Sequence, residues 1–319
     1  MRTTLRHYGP VAILLAVILL VSTLLSLVTG SRQGEDKLRV LVTNYPLYVA
    51  AQNILADTDR VELTLLSGAG AGCLHDYQLT PADRLAIERA DRVIINGAGA
   101  EPFLEGLVEE DRLVDTSTSV TLLCTDSDHH GDHDHDHSRY NEHVWLSPLN
   151  YIQQVGVVRE ALMRLDPDNA SSYAANGADY IGAIHDGISL KLPNLSVRPC
   201  VLFHDSLSYL AAEVGFDVKL TLSADGESGI SAADLAQVET LAKQYPDLVL
   251  IYDTQYPIRY TAIDGLVPAD QVIALETAVV GQGRSTDWLD AMNRNVEKLQ
   301  KVAGGDTREP LRTALSENQ

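Results

Sequence analysis

Between residues 149 and 192 the chain carries almost no strand signal, and that gap dictates how the rest can be arranged. Ile152, Val155, Val158 and Leu162 recur at helical spacing, and after Pro167 the pattern resumes through Tyr173, Tyr180, Ile184, Ile188 and Leu192 until Pro193 stops it. Over 166–193 the spacing predicts a helix of about 24 residues, roughly 36 Å long, enough to run the height of a small domain. On either side, strands alternate with helices. Before the gap, strands are expected at Leu38-Arg-Val-Leu-Val-Thr-Asn, Val61-Glu-Leu-Thr-Leu-Leu and Arg92-Val-Ile-Ile-Asn, with helices opened by Pro46 and by the Thr80-Pro81 pair, and another over 103–108. After it, a strand running into a loop is expected at Pro199-Cys-Val-Leu-Phe-His-Asp-Ser, and strands at Leu248-Val-Leu-Ile-Tyr-Asp and Val272-Ile-Ala-Leu-Glu. Helices there start at Leu207, at a Ser231/Asp234 capping box, and at Thr286. This alternation implies parallel β-α-β units. Two α/β halves, 37–165 and 194–303, are thus expected about a helical spine at 166–193, with a polar tail over 304–319.

Length and charge narrow the partners. A chain of 319 residues suffices for two domains of ordinary size, each with its own core. A formal net charge of −20 argues against nucleic acid, because like charges repel at long range, and makes a cation the natural ligand. Cys73, Cys124 and Cys200 have no C-x-x-C spacing, so no disulfide framework is expected. Cys73 reads as a small buried hydrophobe, or as a thiolate close to His75.

Segment 1–36 reads as a membrane anchor or signal with a linker. Arg2 and Arg6 precede an apolar run at 11–28, near the minimum that spans a bilayer, and the positive-inside rule puts the remainder of the chain outside the cytoplasm. The expected protein is extracytoplasmic and anchored through residues 11–28. The alternative is cleavage near Ser31, which releases it.

Ahead of Glu142-His-Val-Trp-Leu lies a run of imidazoles and carboxylates, the His-rich loop at 126–138 with His129, His130, His133, His135 and His137. Alternating His and Asp offers nothing apolar to bury, so the loop is expected to hold metal weakly. His143 differs, because Val144, Trp145 and Leu146 follow it and look like the end of a buried element. His75, His143, His204 and Glu276 share one kind of position, each at or just after the end of a strand or buried segment. Such ends line the ligand crevice of open parallel sheets. Three imidazoles and one carboxylate form a tetrahedral set suited to zinc, with manganese less favoured because it prefers more carboxylate oxygen.

The stretches Asn44-Tyr-Pro-Leu-Tyr, Cys73-Leu-His-Asp-Tyr-Gln-Leu-Thr-Pro, Ala90-Asp-Arg-Val-Ile-Ile-Asn-Gly-Ala-Gly-Ala-Glu-Pro-Phe-Leu, Glu142-His-Val-Trp-Leu-Ser-Pro, Phe203-His-Asp-Ser-Leu-Ser-Tyr-Leu-Ala and Gly229-Ile-Ser-Ala-Ala-Asp-Leu together resemble the metal-binding subunits of bacterial zinc and manganese ABC importers. They span residues 38–301 in family order. The resemblance implies two Rossmann-like α/β lobes with parallel sheets joined by a single long rigid helix, the metal lying at their interface. It implies ligation by His75, His143 and His204. The family's last ligand is commonly Asp; the matching residue here is Glu276, with Asp253 as the reserve candidate. Gln78 stands where the family commonly has Glu, and no cysteine follows the apolar run to take a lipid. The implied function is capture of Zn²⁺ as cargo for the permease and ATPase subunits of an importer, by a monomer that is not an enzyme. Alternatives are a zinc-dependent hydrolase, for which no H-E-x-x-H helix is present, and a manganese-binding protein or adhesin of the same family.

Overall fold

A computed structural model describes residues 37–66, 74, 77–124, 140–222, 230–254, 263 and 265–304. The anchor segment, Cys73, His75, the His-rich loop and the tail after Gly304 lie outside the described residues. The first half runs β1 (Leu38–Val42), α1 (Tyr45–Ile54), β2 (Val61–Leu65), α2 (Pro81–Arg89), β3 (Arg92–Ile95) and β4 (Leu113–Asp115). Two helices follow, α3 (Pro148–Leu165) and α4 (Ala170–Gly187). The second half runs β5 (Pro199–Leu202), α5 (Ser208–Val214), β6 (Asp217–Thr221), α6 (Ala232–Gln244), β7 (Val249–Asp253), β8 (Val272–Leu275) and α7 (Asp287–Val302).

All ladders in the two sheets are parallel, in the orders β2-β1-β3-β4 and β6-β5-β7-β8. Each sheet therefore reverses its winding once, between β1 and β3 and again between β5 and β7. Those are the places where an open α/β sheet leaves a crevice beyond the strand carboxyl ends. The central strands are apolar runs because helices cover both faces; all four residues of β5 are buried. Local chemistry sets the helix starts. Asn44 Oδ1 accepts the Leu47 amide at 3.1 Å to cap α1, and reciprocal capping boxes pair Thr80 with Asp83 and Ser231 with Asp234.

The structure departs from the sequence expectation in several places. The helix expected over 166–193 is 18 residues long, Ala170–Gly187, or about 27 Å at 1.5 Å per residue. It lies antiparallel to α3, with the Tyr151 and Tyr180 hydroxyls 3.3 Å apart across the pair. The turn is fixed by Asp166, whose Oδ2 accepts the Tyr173 hydroxyl at 2.7 Å and the Asn169 amide at 2.8 Å. Together with α3, also expected from its spacing, α4 forms a helical hairpin. Between Phe103 and Val108 only a 3₁₀ turn, Pro102–Leu104, forms. Strands β4 and β6 carry too few apolar residues to announce themselves: β4 has three residues, and β6 is an edge strand whose Lys219 pairs with Asp217 at 2.5 Å.

The halves do not have wholly separate cores. The largest buried cluster is continuous from Val40, Leu47 and Ile54 through Tyr151, Val158 and Ile184 to Leu202, Ile251, Trp288 and Leu299. Tyr151 of α3 stacks on Trp288 of α7 with ring centroids 4.1 Å apart. At the entry to α7 the Tyr45 hydroxyl donates to Asp287. The Gly283 amide donates to that hydroxyl at 2.7 Å. Gly281 lies so close that a Cβ there would come within 2.4 Å of the Tyr45 ring.

Candidate metal centre

His143 and His204 come from opposite sides of the helical hairpin and meet. His204 follows β5, where the Phe203 amide still bonds the Ile251 carbonyl at 2.9 Å, so it stands at the carboxyl end of the central strand. His143 precedes the 3₁₀ turn Val144–Leu146. Both are buried, at 4% and 3% exposure, and their rings pack edge to face with centroids 5.6 Å apart.

Three residues hold the His143 segment in place. The Glu142 carbonyl accepts from Asn96 Nδ2 at 2.8 Å, off the end of β3. Trp145 Nε1 donates to the Thr277 carbonyl in the second half at 2.8 Å. Asn141 Oδ1 accepts the His143 main-chain amide at 2.9 Å and lies 3.1 Å from His143 Nδ1. On the other side, His204 Nδ1 accepts the Ser206 amide at 3.0 Å. The Asp205 carboxylate approaches the same nitrogen at 3.4 Å. These two contacts ask for opposite protonation of Nδ1. The amide contact is shorter and directional, so the neutral ring carries its proton on Nε2.

The two acidic candidates differ in surroundings. Leu202 of β5 is paired with Ile251 of β7, and continuing that register two residues brings Asp253 level with His204. Asp253 is 1% exposed, and the Ser206 hydroxyl lies 3.5 Å from its Oδ2. Glu276, just past β8, is turned to α7. Arg294 grips its two oxygens with a fork at 2.7 and 2.6 Å, Lys298 stands at 3.9 Å, and Asn295 brackets its main chain. A bidentate guanidinium pair of this kind is the strong form of charge-assisted bond. Glu276 was the expected fourth ligand, and its carboxylate is engaged elsewhere because α7 presents Arg294 to it. Among the described residues no three His, Cys, Asp or Glu side chains converge closely enough to hold an ion. Cys200 is buried in β5, and burial pushes its thiol up to about 12, which suits packing and not ligation. Cys124 is exposed, and its backbone forms an isolated antiparallel β-bridge with Tyr140.

Sequence reasoning missed a second buried acid. Glu101 accepts the Thr43 hydroxyl at 2.6 Å and the Asn96 and Gly97 amides at 2.8 and 3.0 Å, across the β1/β3 crevice. Burial raises its carboxyl to about 7, against the lowering effect of those three donors. In the sequence it stands in the turn after β3, within one of the stretches that carry the family resemblance.

The model of the ZnuA family, described as the periplasmic component A of the zinc-uptake complex, matches residues 40–302. The zinc-binding lipoprotein AdcA of Streptococcus pneumoniae is 29% identical over 292 residues, covering 86% of this chain and 57% of AdcA. The chain thus spans little more than half of that relative's length. The high-affinity zinc uptake system protein ZnuA of Bacillus subtilis is 28% identical over 292 residues, covering 85% of this chain and 89% of that protein. Among solved structures, the SBP FpvC of Pseudomonas aeruginosa in complex with Mn²⁺ superposes with a TM-score of 0.67 at 22% identity, over 85% of this chain and 100% of FpvC.

Proposed function

The chain belongs to the ZnuA family of periplasmic zinc-uptake components, and from that membership we propose that it captures Zn²⁺ outside the cytoplasm and delivers it to the permease and ATPase subunits of an ABC importer. The observation that carries this reading is the meeting of two buried imidazoles, His143 and His204, 5.6 Å apart between the two sheets. The proposed ligands are His75, His143, His204 and Asp253, the last three of which would have to draw together around the ion, since they do not converge closely enough to hold it as they stand. Asp253 takes the place expected of Glu276 because it is level with His204, whereas the Glu276 carboxylate is held by Arg294. Zinc takes such N and O donors at about 2.0 to 2.2 Å in a tetrahedral shell. A shell filled by four side chains leaves no open position for an activated water, so the reading is of a carrier and not of a hydrolase. For His204 to ligate through Nε2, its proton must move to Nδ1, so zinc entry displaces the Ser206 amide.

The carrier is proposed to act as a monomer, held to the membrane through residues 11–28 or released by cleavage near Ser31. The His-rich loop is proposed as a weaker collector. Its sequence offers nothing apolar to bury around the imidazoles, whereas His143 and His204 are themselves buried. Competition titration against a chelating dye tests the whole reading. One zinc per chain should bind tightly, more tightly than manganese, and deleting 129–137 should remove only weaker additional binding. Loss of tight binding on that deletion, or a preference for manganese, would overturn it.

A further inference from the structure

We infer that Asn141 is the positioning residue of the metal site: it sets which nitrogen of His143 faces the ion and ties that imidazole to the opposite half of the molecule. The inference rests on the reading of His143 as a ligand. A side-chain amide can point either way round, and here two partners fix it. Asn141 Oδ1 accepts the His143 main-chain amide at 2.9 Å, which only an oxygen can do. Asn141 Nδ2 donates to the Asp205 carbonyl at 2.8 Å, which only a nitrogen can do. The atom 3.1 Å from His143 Nδ1 is therefore an acceptor, so Nδ1 carries the proton and Nε2 presents the lone pair. An outer partner that fixes the tautomer of a ligating histidine raises its basicity and holds its ring for the ion.

The same residue spans the cleft. Asp205 follows His204 directly, so one side chain touches the backgrounds of both imidazoles. The Asn141 main chain is clamped as well. Its carbonyl accepts the Tyr209 hydroxyl at 2.9 Å, its amide bonds the Leu123 carbonyl at 2.8 Å, and the Leu123 amide donates to that same hydroxyl at 3.0 Å. Asn141 is 3% exposed, so solvent does not replace these contacts.

The test uses the full chain with Asn141→Ala, Asn141→Asp and His143→Ala. Zinc affinity is measured by dye competition, and the tautomer of His143 in the metal-free protein by ¹⁵N NMR. Asn141→Ala should weaken zinc binding roughly 10- to 100-fold and let His143 populate both tautomers. Asn141→Asp keeps an oxygen toward Nδ1 but loses the donor to the Asp205 carbonyl, so it should keep the proton on Nδ1 and recover only part of the lost affinity. Parent-like affinity in the alanine variant, or an aspartate variant in which His143 populates both tautomers, overturns the inference. If the alanine variant does not fold, the parent spectrum decides, because a proton on Nε2 of His143 overturns it equally. Tight zinc in His143→Ala would instead overturn the ligand reading beneath it, whereas its loss there with full affinity in Asn141→Ala would overturn the inference alone.

Discussion

The choice between two carboxylates shows what a single residue can and cannot announce. Asp253 and Glu276 both end strands, and nothing within a few positions of either separates them. The difference comes from Arg294, 18 positions beyond Glu276, whose fork closes on that carboxylate once α7 packs down. Asp253→Asn should therefore weaken zinc binding beyond the roughly 10- to 100-fold expected of residues behind the ligands. Glu276→Gln should leave affinity near the parent's and destabilise the fold by about 1 kcal/mol, since the pair is partly exposed. Dye competition and thermal melting on the two variants check this; the opposite ranking in affinity would return Glu276 to the shell. His143 and His204 were legible because each stands beside an apolar run that ends abruptly. Asn141 was not, since its role depends on a carbonyl 64 residues away.

At the scale of elements, periodicity and caps carried most of the information. Helix α7 was visible because its apolar residues fall on one face, and α1, α2 and α6 because their first turns hold a proline or a capping box. The second arm of the hairpin, α4, is shorter than its spacing predicts, because helical periodicity continues through Leu192 although Ile188 already leaves the helix with φ −120° and ψ −65°. Pairing between helices, set by Tyr151, Tyr180 and Trp288, is a tertiary matter that periodicity does not encode. Trp288 is fully buried against Tyr151, and among the described residues its ring nitrogen has no hydrogen-bond partner. Trp288→Ala should cost about 3–5 kcal/mol in urea unfolding through the cavity it leaves. Trp288→Phe should cost distinctly less, because it keeps the stack and removes an unsatisfied donor. Equal losses in the two variants would mean that ring stacking contributes little at this junction.

Across the whole molecule, the halves are joined by polar contacts whose charge states oppose one another. Asp287 is raised by burial but more than compensated by the Tyr45 hydroxyl, Arg284 and the amides of Arg284 and Gln282, which together bring it down to about 2. Its contribution is present above the ordinary carboxyl value of 3.8 and is lost as pH falls toward 2. Glu213 of α5 behaves in the reverse sense. It takes the Ser147 hydroxyl and, at 3.4 Å, the Leu149 amide at the start of α3. Burial dominates those two bonds and raises its carboxyl from 4.5 to about 7. The folded protein then holds a proton that the unfolded chain has released, so this group's contribution is complete below pH 4.5 and declines as pH rises to about 7. Glutamine cannot ionise, yet it keeps an oxygen for both donors. In metal-free protein the parent should therefore lose stability relative to Glu213→Gln between pH 4.5 and 7, with the difference flat on either side. Thermal melting of both proteins across that range measures it, and parallel curves would show that Glu213 is ionised in the folded state throughout. A declining difference would mean that neutral pH loosens the junction between α5 and α3, the helices that follow His204 and His143.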